Sequence, residues 1–301
     1  MLNLIKNLLL IVLVVIVAFF GYHRYRSLKA QKQAIQKDIK EMKSDIKEMK
    51  SAVSMMMNMT YYPVTVLIKG KQFVFFDYAI DKNSTIEMVV NEMNSHPLDD
   101  YSDIDFKDGD VVVDIGAHVG IVSIYLAKTH PNIKIISVEP NMRTYEALLK
   151  NIQFNNVKNV IPVLAAICND GEKVDIIAPY VLTGGGSIIS KDKEEAIRYD
   201  VISNNIDCIS LDTLIEKNGV KKIKLLKVDC EGCEFNALNN TFKHFSDIEY
   251  LRMEAHQEYV TKDEMDKFQA LLKSKIKNVV IEVLVLNKGG FAEAKKVKHQ
   301  P

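Results

Sequence analysis

Over most of its length the chain alternates short apolar runs with patterns of helical period. DVVVDIG precedes VGIVSIYLAK, IKIISVEP precedes RTYEALLKNIQ, KIKLLKVD precedes CEFNALNN, and IEYLRMEAH precedes KDEMDKFQALLKS. Buried strands separated by helices are typical of a parallel sheet that is covered on both faces. The pattern therefore predicts a doubly wound α/β sheet, and ligands of such sheets bind at the carboxyl ends of the strands.

Two further patterns precede this alternation, and one interrupts it. VTVLIKGKQFVFFDY predicts a hairpin of two strands around Lys69 and Gly70. STIEMVVNEMN predicts a helix that begins with a capping box from Ser84 to Glu87 and stops at Pro97. The glycine-rich segment APYVLTGGGSIISKDKEEAIRYD breaks the rhythm, and its composition fits a lid over the pocket as well as it fits a surface loop.

The N-terminal residues form the most apolar stretch of the chain. Every residue from Leu8 to Phe20 is apolar, and with Lys6 snorkelling the span approaches the roughly 20 residues that cross a bilayer. No small-residue cleavage site follows, so a membrane anchor over residues 1–22 is favoured over a cleaved signal peptide or a buried core helix. Basic residues are concentrated after the apolar run, which predicts a single-pass protein whose remaining domain faces the cytoplasm.

Residues 23–60 contain a heptad pattern. The unit DIKEMKS occurs twice in succession, and the apolar positions alternate spacings of four and three: Ile35, Ile39, Met42, Ile46, Met49, Val53 and Met56. This spacing is the a/d seam of a coiled coil, and it predicts a stalk that joins copies of the chain into a homo-oligomer. A single amphipathic helix lying on the membrane or on the domain is the alternative. The remaining residues, 61–301, are expected to form one domain.

Composition narrows the choice of partners and compartment. Lys plus Arg and Asp plus Glu are both 39, so the formal net charge is zero and nucleic acid is not expected as a partner. Four cysteines, at positions 168, 208, 230 and 233, are too few for a disulfide framework in a chain of this length. A reducing compartment is the simpler reading, and a single disulfide remains open.

The stretch VVVDIGAHVGIVSIYLA places a glycine turn between a strand and a helix. Gly116 allows a sharp turn, and Gly120 allows close approach of a ligand or of the helix to the strand. A dinucleotide site would have glycine where His118 stands, and the carboxylate of Asp114 at the strand end would repel phosphate. Asp114 is instead suited to attract a cation, such as the amino group of a methionine moiety.

A second acid lies at the end of the next strand. Glu139, in ISVEP, follows Gly120 by 19 residues. A carboxylate in this position can accept hydrogen bonds from both ribose hydroxyls of a nucleoside. The two acids and the glycine turn together describe a site for adenosine joined to a cationic amino acid, which fits S-adenosylmethionine.

Four motifs occur in an order that resembles the FkbM-type methyltransferases. They are DIGAHVGIVSIYLA, VEP, SLDTLI and LLKVDCEGCE, and the resemblance covers roughly residues 64–285. It implies the class I methyltransferase (Rossmann-like) fold, S-adenosylmethionine as donor, and O-methylation of a hydroxyl on a sugar, glycolipid or small metabolite. The donor-binding positions that these motifs imply are Asp114, Gly116, Ala117, His118, Gly120, Glu139 and Pro140. The acceptor is expected to be a small molecule, a glycan or a lipid-linked intermediate.

The stretch LLKVDCEGCEF raises the question of a metal or redox site, because Cys230 and Cys233 have C-x-x-C spacing. No second pair of ligands lies nearby, so no zinc site is predicted, and the glycine loop argues against a thioredoxin-like motif. Cysteine behaves as a small hydrophobe, so both are expected to pack in the core. Glu234 is expected to be a charge favoured at a helix start.

Methyl transfer to oxygen is an in-line displacement in which a general base activates the acceptor hydroxyl. Asp229 and Glu231 follow the fourth strand of the pattern and face the predicted pocket. Glu254 and His256 end the fifth strand on the same rim, and His256 has a suitable unperturbed pKa, although a lone histidine is often only a filler. The predicted catalytic residues are therefore Asp229, Glu231 and His256.

Two other functions remain open at this stage. One is a membrane-tethered scaffold whose domain has lost activity, which would bind the donor without transferring a methyl group. The other is a nicotinamide-dependent oxidoreductase on a similar sheet, which His118 in place of the central glycine disfavours.

Overall fold

In a computed structural model of the 301-residue chain, the structure describes residues 61–77, 85–96, 98–178, 187–188, 200–257, 260–286 and 292–297, together with Gln36. Contacts within the chain set off a unit from Thr60 to Pro301. The predicted anchor and, apart from Gln36, the predicted stalk lie outside the described residues and stay predictions. Within the described ranges, no helix combines the length and the apolar character that a membrane span needs.

The described residues alternate strands and helices as the sequence pattern predicts. The strands are β1 (Tyr62–Ile68), β2 (Lys71–Asp77), β3 (Val111–Ile115), β4 (Lys134–Val138), β5 (Val160–Val163), β6 (Ala166–Ile167), β7 (Lys173–Ala178), β8 (Ser187–Ile188), β9 (Asp200–Ile209), β10 (Ile223–Val228), β11 (Ile248–His256), β12 (Asn278–Leu286) and β13 (Ala292–Val297). The helices are α1 (Thr85–Ser95), α2 (Ile121–Thr129), α3 (Met142–Phe154), α4 (Leu211–Lys217), α5 (Glu234–Ala237) and α6 (Lys262–Lys275), with a 3-10 turn at Phe245–Asp247.

The central sheet has the order β13-β12-β11-β10-β3-β4-β5. Its strands are parallel except for β13, which runs antiparallel to β12. The predicted doubly wound α/β sheet is therefore confirmed. β4 and β10 flank β3 on opposite sides, so the winding direction reverses between β3 and β10. The carboxyl ends of these two strands are where such sheets place their ligands.

Side-chain alternation along the strands separates two cores, one on each face of the sheet. Val113 and Ile115 pack with α4 and α6 on one face. Val112 and Leu225 pack with α1, α2 and the β1–β2 hairpin on the other, which we call the α1 face. Residues two positions apart in a strand share a face. Asp114 follows Val112 by two positions and Lys227 follows Leu225 by two, so both also point to the α1 face.

The predicted hairpin and first helix have described counterparts. β1 pairs with β2 in antiparallel register up to Ile68 opposite Lys71, as the pattern around Gly70 predicts. α1 begins at Thr85, while the predicted cap Ser84 and the stop at Pro97 lie outside the described residues. The predicted lid segment, residues 178–200, is described only at residues 178, 187, 188 and 200, so its role stays a prediction.

The cysteines differ from the sequence-based expectation. Cys168, which directly follows β6, is bonded to Cys208 on β9, and Cys230 is bonded to Cys233. The expectation of at most one disulfide was therefore wrong. Sequence spacing could not reveal the first pair because its partners are 40 residues apart, and only the pairing of β6 with β9 brings them together.

Candidate active site

At the point where the winding reverses, Asp114 on β3 and Lys227 on β10 are direct partners across the parallel pair. Both are buried on the α1 face. Ser123 Oγ, from the first turn of α2, donates a hydrogen bond of 2.6 Å to Asp114 Oδ2. Lys227 Nζ lies 3.6 Å from Asp114 Oδ1 and 3.3 Å from Asp229 Oδ2. A single buried ammonium thus joins the ends of β3 and β10.

The charge on Lys227 is maintained by its two carboxylate neighbours. Burial would lower the pKa of the ammonium, but the negative charges of Asp229 and Asp114 outweigh burial and raise that pKa above its usual range. Sequence reasoning did not single out this lysine. Its position two residues before Asp229 in a buried strand was the available signal, because a charged residue inside an apolar run needs a partner.

The glycine turn after β3 is locked against the neighbouring strands. Gly116 has φ +76°, and an added Cβ there would lie 1.7 Å from the carbonyl oxygen of Asp229. The amides of Gly116 and Ala117 both donate to the carbonyl of Val138 on β4. The close approach predicted at Gly120 is that of α3, since an added Cβ would lie 2.4 Å from Leu148 Cδ1. The room at both glycines is therefore filled by the protein itself.

Glu139 holds the backbone of this turn from the end of β4. Its carboxylate accepts hydrogen bonds from the amides of His118 and Asn141, both at 2.9 Å. His118 has the left-handed φ of +52°, so the carboxylate stabilises a conformation that is unfavourable for a residue with a side chain. Burial raises the pKa of Glu139 to about 7, although both backbone hydrogen bonds oppose this. Each carboxylate oxygen keeps a further lone pair, so the predicted ribose contact stays a prediction.

One observation supports the binding of the predicted donor, S-adenosylmethionine, at this loop. Asp114 Oδ1 is buried and accepts no hydrogen bond from the described residues. A buried acceptor in this state is suited to a donor group of a bound ligand. Lys227 modifies the sequence-based picture, because the protein already supplies one cation to this carboxylate. Ala117 is buried and Pro140 half-buried beside these groups, and their predicted part in donor binding stays a prediction.

The predicted catalytic residues lie together beyond the ends of β10 and β11. Asp229, Glu254 and His256 each offer one ligand atom, and these atoms all lie within 4.8 Å of one another. Glu231 Oε2 is 3.2 Å from His256 Nε2. The tertiary structure therefore brings Asp229, Glu231 and His256 into one cluster, and their catalytic roles stay predictions.

His256 is not the ordinary histidine that the sequence suggested. Its side chain is buried, and Nδ1 lies 2.8 Å from Glu234 Oε1. Burial alone would lower the pKa of His256, but the hydrogen bond to Glu234 and the charge of Glu231 raise it to about 10. The unperturbed pKa from which the sequence argument started therefore does not apply in this environment, and a pKa of about 10 favours the protonated form of His256 at neutral pH.

Glu234 has a larger part in the site than a charge at a helix start. It is fully buried, and its carboxylate accepts hydrogen bonds from the amides of Gly232 and Cys230 as well as contacting His256. The same carboxylate therefore fixes the turn after β10 and orients the imidazole at the end of β11. Its place in the E-G-x-E stretch was the only sequence signal, and that signal did not identify His256 as its partner.

The turn that carries Glu231 is closed by a disulfide. Cys230 and Cys233, on either side of it, are bonded, and Glu231 has the left-handed φ of +54°. Cys233 is in the core, and Cys230 packs against it, as predicted. The sequence-based interpretation did not include a bond between these two cysteines, and within the described residues all four cysteines are paired.

Further carboxylates surround this cluster on the α1 face. Burial and the charge of Asp229 raise the pKa of Glu254 to about 9. Burial and the charge of Asp99 raise the pKa of Glu92, on α1, to about 7. The region is therefore strongly acidic, and part of that acidity is neutralised by bound protons.

Comparison with known proteins identifies this architecture. The pattern of the methyltransferase FkbM domain matches residues 114–276, more than half of the chain. The matched segment begins at Asp114 and includes all the predicted donor-binding and catalytic residues.

Two curated relatives carry methyltransferase names. Methyltransferase 1 of Beauveria bassiana (strain ARSEF 2860) is 23% identical over 177 residues, which cover 54% of this chain and 71% of the relative. Methyltransferase sdnD of Sordaria araneosa is 24% identical over 151 residues, which cover 42% of this chain and 58% of the relative. The second match thus spans just over half of the relative's length.

Among solved structures, M. jannaschii TYW2 in complex with AdoMet is 24% identical to this chain. The match covers 37% of this chain and 48% of the TYW2 chain, with a TM-score of 0.26. A score at this level supports no conclusion about function.

Proposed function

The chain belongs to the FkbM methyltransferase family, and from this premise we propose that it transfers a methyl group to a hydroxyl oxygen of a sugar, glycolipid or small metabolite. Family membership supports the methyltransferase activity and S-adenosylmethionine as the donor. It also sets aside the nicotinamide alternative. Three points are proposed beyond family membership: that the methyl group is transferred to oxygen, which class of molecule accepts it, and which residues act on the acceptor.

The observation that carries the proposal is the position of Lys227. Its ammonium lies between Asp114, on the predicted donor side, and Asp229, on the predicted acceptor side. The predicted donor side and the predicted acceptor side are therefore adjacent at the place where the sheet reverses its winding. An in-line displacement needs this proximity, because the acceptor oxygen must lie about 3 Å from the methyl carbon.

The donor supplies an activated methyl group on a sulfonium, so the protein's task is to position and deprotonate the acceptor. A neutral hydroxyl is a weak nucleophile, and a general base contributes about 10²–10⁴-fold. His256 is protonated at neutral pH and cannot serve as that base. The role of base therefore falls to Asp229 or Glu231, while His256 donates a hydrogen bond within the pocket.

The attachment of the domain is a separate part of the proposal. We propose that residues 1–22 anchor the chain in a membrane, that residues 23–60 join copies of it, and that a membrane-associated acceptor is used. The apolar run and the heptad spacing support this. The charge bias supports a cytoplasmic domain, whereas two disulfides are more typical of an oxidising compartment.

Calorimetric titration of the full-length chain in detergent with S-adenosylhomocysteine tests the donor site. We expect micromolar binding that Asp114→Asn and Glu139→Gln each weaken at least tenfold. Glu172→Gln, at an exposed position of the same domain, is the matched control and should bind like the parent.

Methyl transfer to a panel of hydroxylated sugars, lipids and small metabolites then distinguishes an enzyme from a scaffold. Transfer that Asp229→Asn or Glu231→Gln reduces at least a hundredfold, with S-adenosylhomocysteine binding retained, supports the proposed roles. Donor binding with no transfer to any acceptor would instead favour the inactive scaffold, and a folded chain that binds no S-adenosylhomocysteine would overturn the proposal.

A further inference from the structure

We propose that Asp229, Glu254 and His256 bind a divalent metal ion of the Mn²⁺ type on the acceptor side of the pocket. No metal site was predicted from the sequence, because only the cysteines had a recognisable ligand spacing. The inference rests on the proposed function in one respect, since the ion's chemical use would be to hold the acceptor hydroxyl.

The geometry of the three ligand atoms supports a shared ion. One atom from each of these residues lies within 4.8 Å of the other two. Ligand atoms on opposite sides of an ion with bonds of ~2.1 Å are roughly 4.2 Å apart. A small inward movement of the three side chains would therefore bring all three atoms within bonding distance of one ion, and the remaining positions would be open to water or to the acceptor. Two of them lie on the same strand, β11, two positions apart, so the backbone already points both to the α1 face.

The imidazole is oriented as a metal ligand would be, and an ion bound at Nε2 would displace the proton that this nitrogen holds when no ion is present. Its Nδ1 faces the buried carboxylate of Glu234 at 2.8 Å, which leaves Nε2 facing Glu254 Oε1 at 3.6 Å. Metal-binding histidines commonly donate their other ring nitrogen to a carboxylate in this way, because the contact fixes the tautomer and the ring orientation. Glu231, 3.2 Å from Nε2, is close enough to become a further ligand or to bind a metal-bound group.

A separate observation comes from the neighbouring strand. Glu282 on β12 is the direct register partner of Glu254, and parallel partners point to the same face. Its side chain is only 7% exposed. Oε1 is buried and has no hydrogen-bond partner among the described residues, whereas Oε2 lies 3.2 Å from His96 Nε2. A buried carboxylate oxygen without a partner is costly, and a hydrated cation beside Glu254 would supply donors to it.

The balance of charge also favours a cation, which would replace the protons that neutralise part of this acidity when no ion is bound. Among the described residues, Lys227 is the only lysine or arginine that forms an ion pair with Asp229. The carboxylates that face this part of the α1 face are more numerous: Glu92, Asp99, Asp229, Glu231, Glu234, Glu254 and Glu282. Two carboxylates with one imidazole suit an ion that accepts both oxygen and nitrogen, which favours Mn²⁺ over Ca²⁺.

At this site the ion would lower the pKa of a coordinated acceptor hydroxyl. The hydroxyl proton passes to Glu231, and the oxygen forms its bond to the methyl carbon. The carbon–sulfur bond breaks at the same time, and its electron pair stays on sulfur. The ion itself is neither oxidised nor reduced. This assigns Asp229 to coordination and leaves Glu231 as the base.

Mn²⁺ binding to the full-length chain can be measured by the loss of the free-ion electron paramagnetic resonance signal, with S-adenosylhomocysteine binding followed on the same samples. We expect one bound Mn²⁺ per chain, and an affinity at least tenfold weaker in Glu254→Gln and in His256→Asn. Glu249→Gln on the same strand, where the carboxylate pairs with Lys224 at the surface, should leave Mn²⁺ binding unchanged. Competition by Mg²⁺ and Zn²⁺ ranks the ions.

Retained S-adenosylhomocysteine binding in the two variants shows that their fold is intact. If either variant loses it, Asp229→Asn takes its place, because Asp229 is partly exposed. A chain that binds S-adenosylhomocysteine but no Mn²⁺, Mg²⁺ or Zn²⁺ overturns the metal site and leaves the methyltransferase proposal standing. Mn²⁺ binding that none of these variants weakens places the ion elsewhere and also overturns the inference.

Discussion

The carboxylate of Asp114 and the ammonium of Lys227 face each other across β3 and β10, with Oδ1 and Nζ 3.6 Å apart. Both side chains are buried, and the ammonium also lies 3.3 Å from Asp229. The pair thus connects the glycine turn of the donor side to the acidic cluster of the acceptor side. Disturbing it should affect stability and donor binding together.

Replacing Lys227 by methionine should destabilise the domain by about 3–5 kcal/mol, because it leaves two carboxylates next to each other without their cation. Urea unfolding followed by far-UV circular dichroism measures this. Lys267→Met removes an exposed helix pair with Asp263 and should cost less than about 0.5 kcal/mol. Adding Asp114→Asn to Lys227→Met should recover part of the loss, and an equal or larger loss would show that the charges are not coupled.

Gly116→Ala should prevent the turn from closing. The new Cβ would lie 1.7 Å from the carbonyl oxygen of Asp229, and φ is +76°. Gly171→Ala is a matched control, since Gly171 has φ +79° but no atom within 4 Å of an added Cβ. The control should cost only the roughly 1–2 kcal/mol of a left-handed residue, whereas Gly116→Ala should abolish S-adenosylhomocysteine binding. Similar losses of stability in the two variants would contradict the close packing at Gly116.

Because of Glu139, the stability of the domain should fall as the pH rises from the ordinary pKa of a glutamate to the higher pKa that Glu139 has in the folded state. The folded pKa is about 7 and the ordinary value is 4.5, so in this range the folded state binds more protons than the unfolded state. Ionising the buried carboxyl should therefore cost up to roughly 3 kcal/mol between pH 4.5 and 7, at 1.36 kcal/mol per pK unit.

Urea midpoints of the parent and of Glu139→Gln from pH 4.5 to 7.5 measure this slope. The variant should lose the downward trend that Glu139 contributes, whatever its absolute stability. The control variant Glu216→Gln, at an exposed position of α4, should show the same fall of stability with pH as the parent. Parallel curves for the parent and Glu139→Gln would show that Glu139 does not titrate in this range.

The two disulfides should differ in what they contribute. Cys168 and Cys208 are separated by 40 residues, and the loop-entropy relation gives roughly 4 kcal/mol for a loop of this length. Cys230 and Cys233 are three residues apart, so their bond should matter mainly for the turn that carries Glu231. The paired serine variants of each disulfide, compared by urea unfolding and by methyl transfer, separate these effects. A larger stability loss in the Cys230/Cys233 pair would contradict this assignment.

Much of the fold could be predicted because its signals are local. The periods of apolar residues indicated the strands and helices of the central sheet, and the D-I-G-A and V-E-P stretches indicated where strands end in a ligand site. The hairpin around Gly70 followed from the same reasoning. These features depend on residues a few positions apart, whose spacing the sequence displays directly.

The chemistry of the site depended on neighbours that are distant in sequence. Glu234 and His256 are 22 residues apart, and only the packing of α5 against the end of β11 makes one the partner of the other. The pKa of His256 depends on that contact and on burial, so no sequence pattern could supply it. The same holds for Glu282 beside Glu254, which results from the register of β11 and β12.

The sequence by itself therefore determined the order of the strands and helices, the family and the donor, because periodicity and short motifs are properties of neighbouring residues. The tertiary structure decided which charges meet: Lys227 between Asp114 and Asp229, His256 held by Glu234, and Cys168 bonded to Cys208. Sheet order and strand register set these contacts, and electrostatic energies depend on distance and burial.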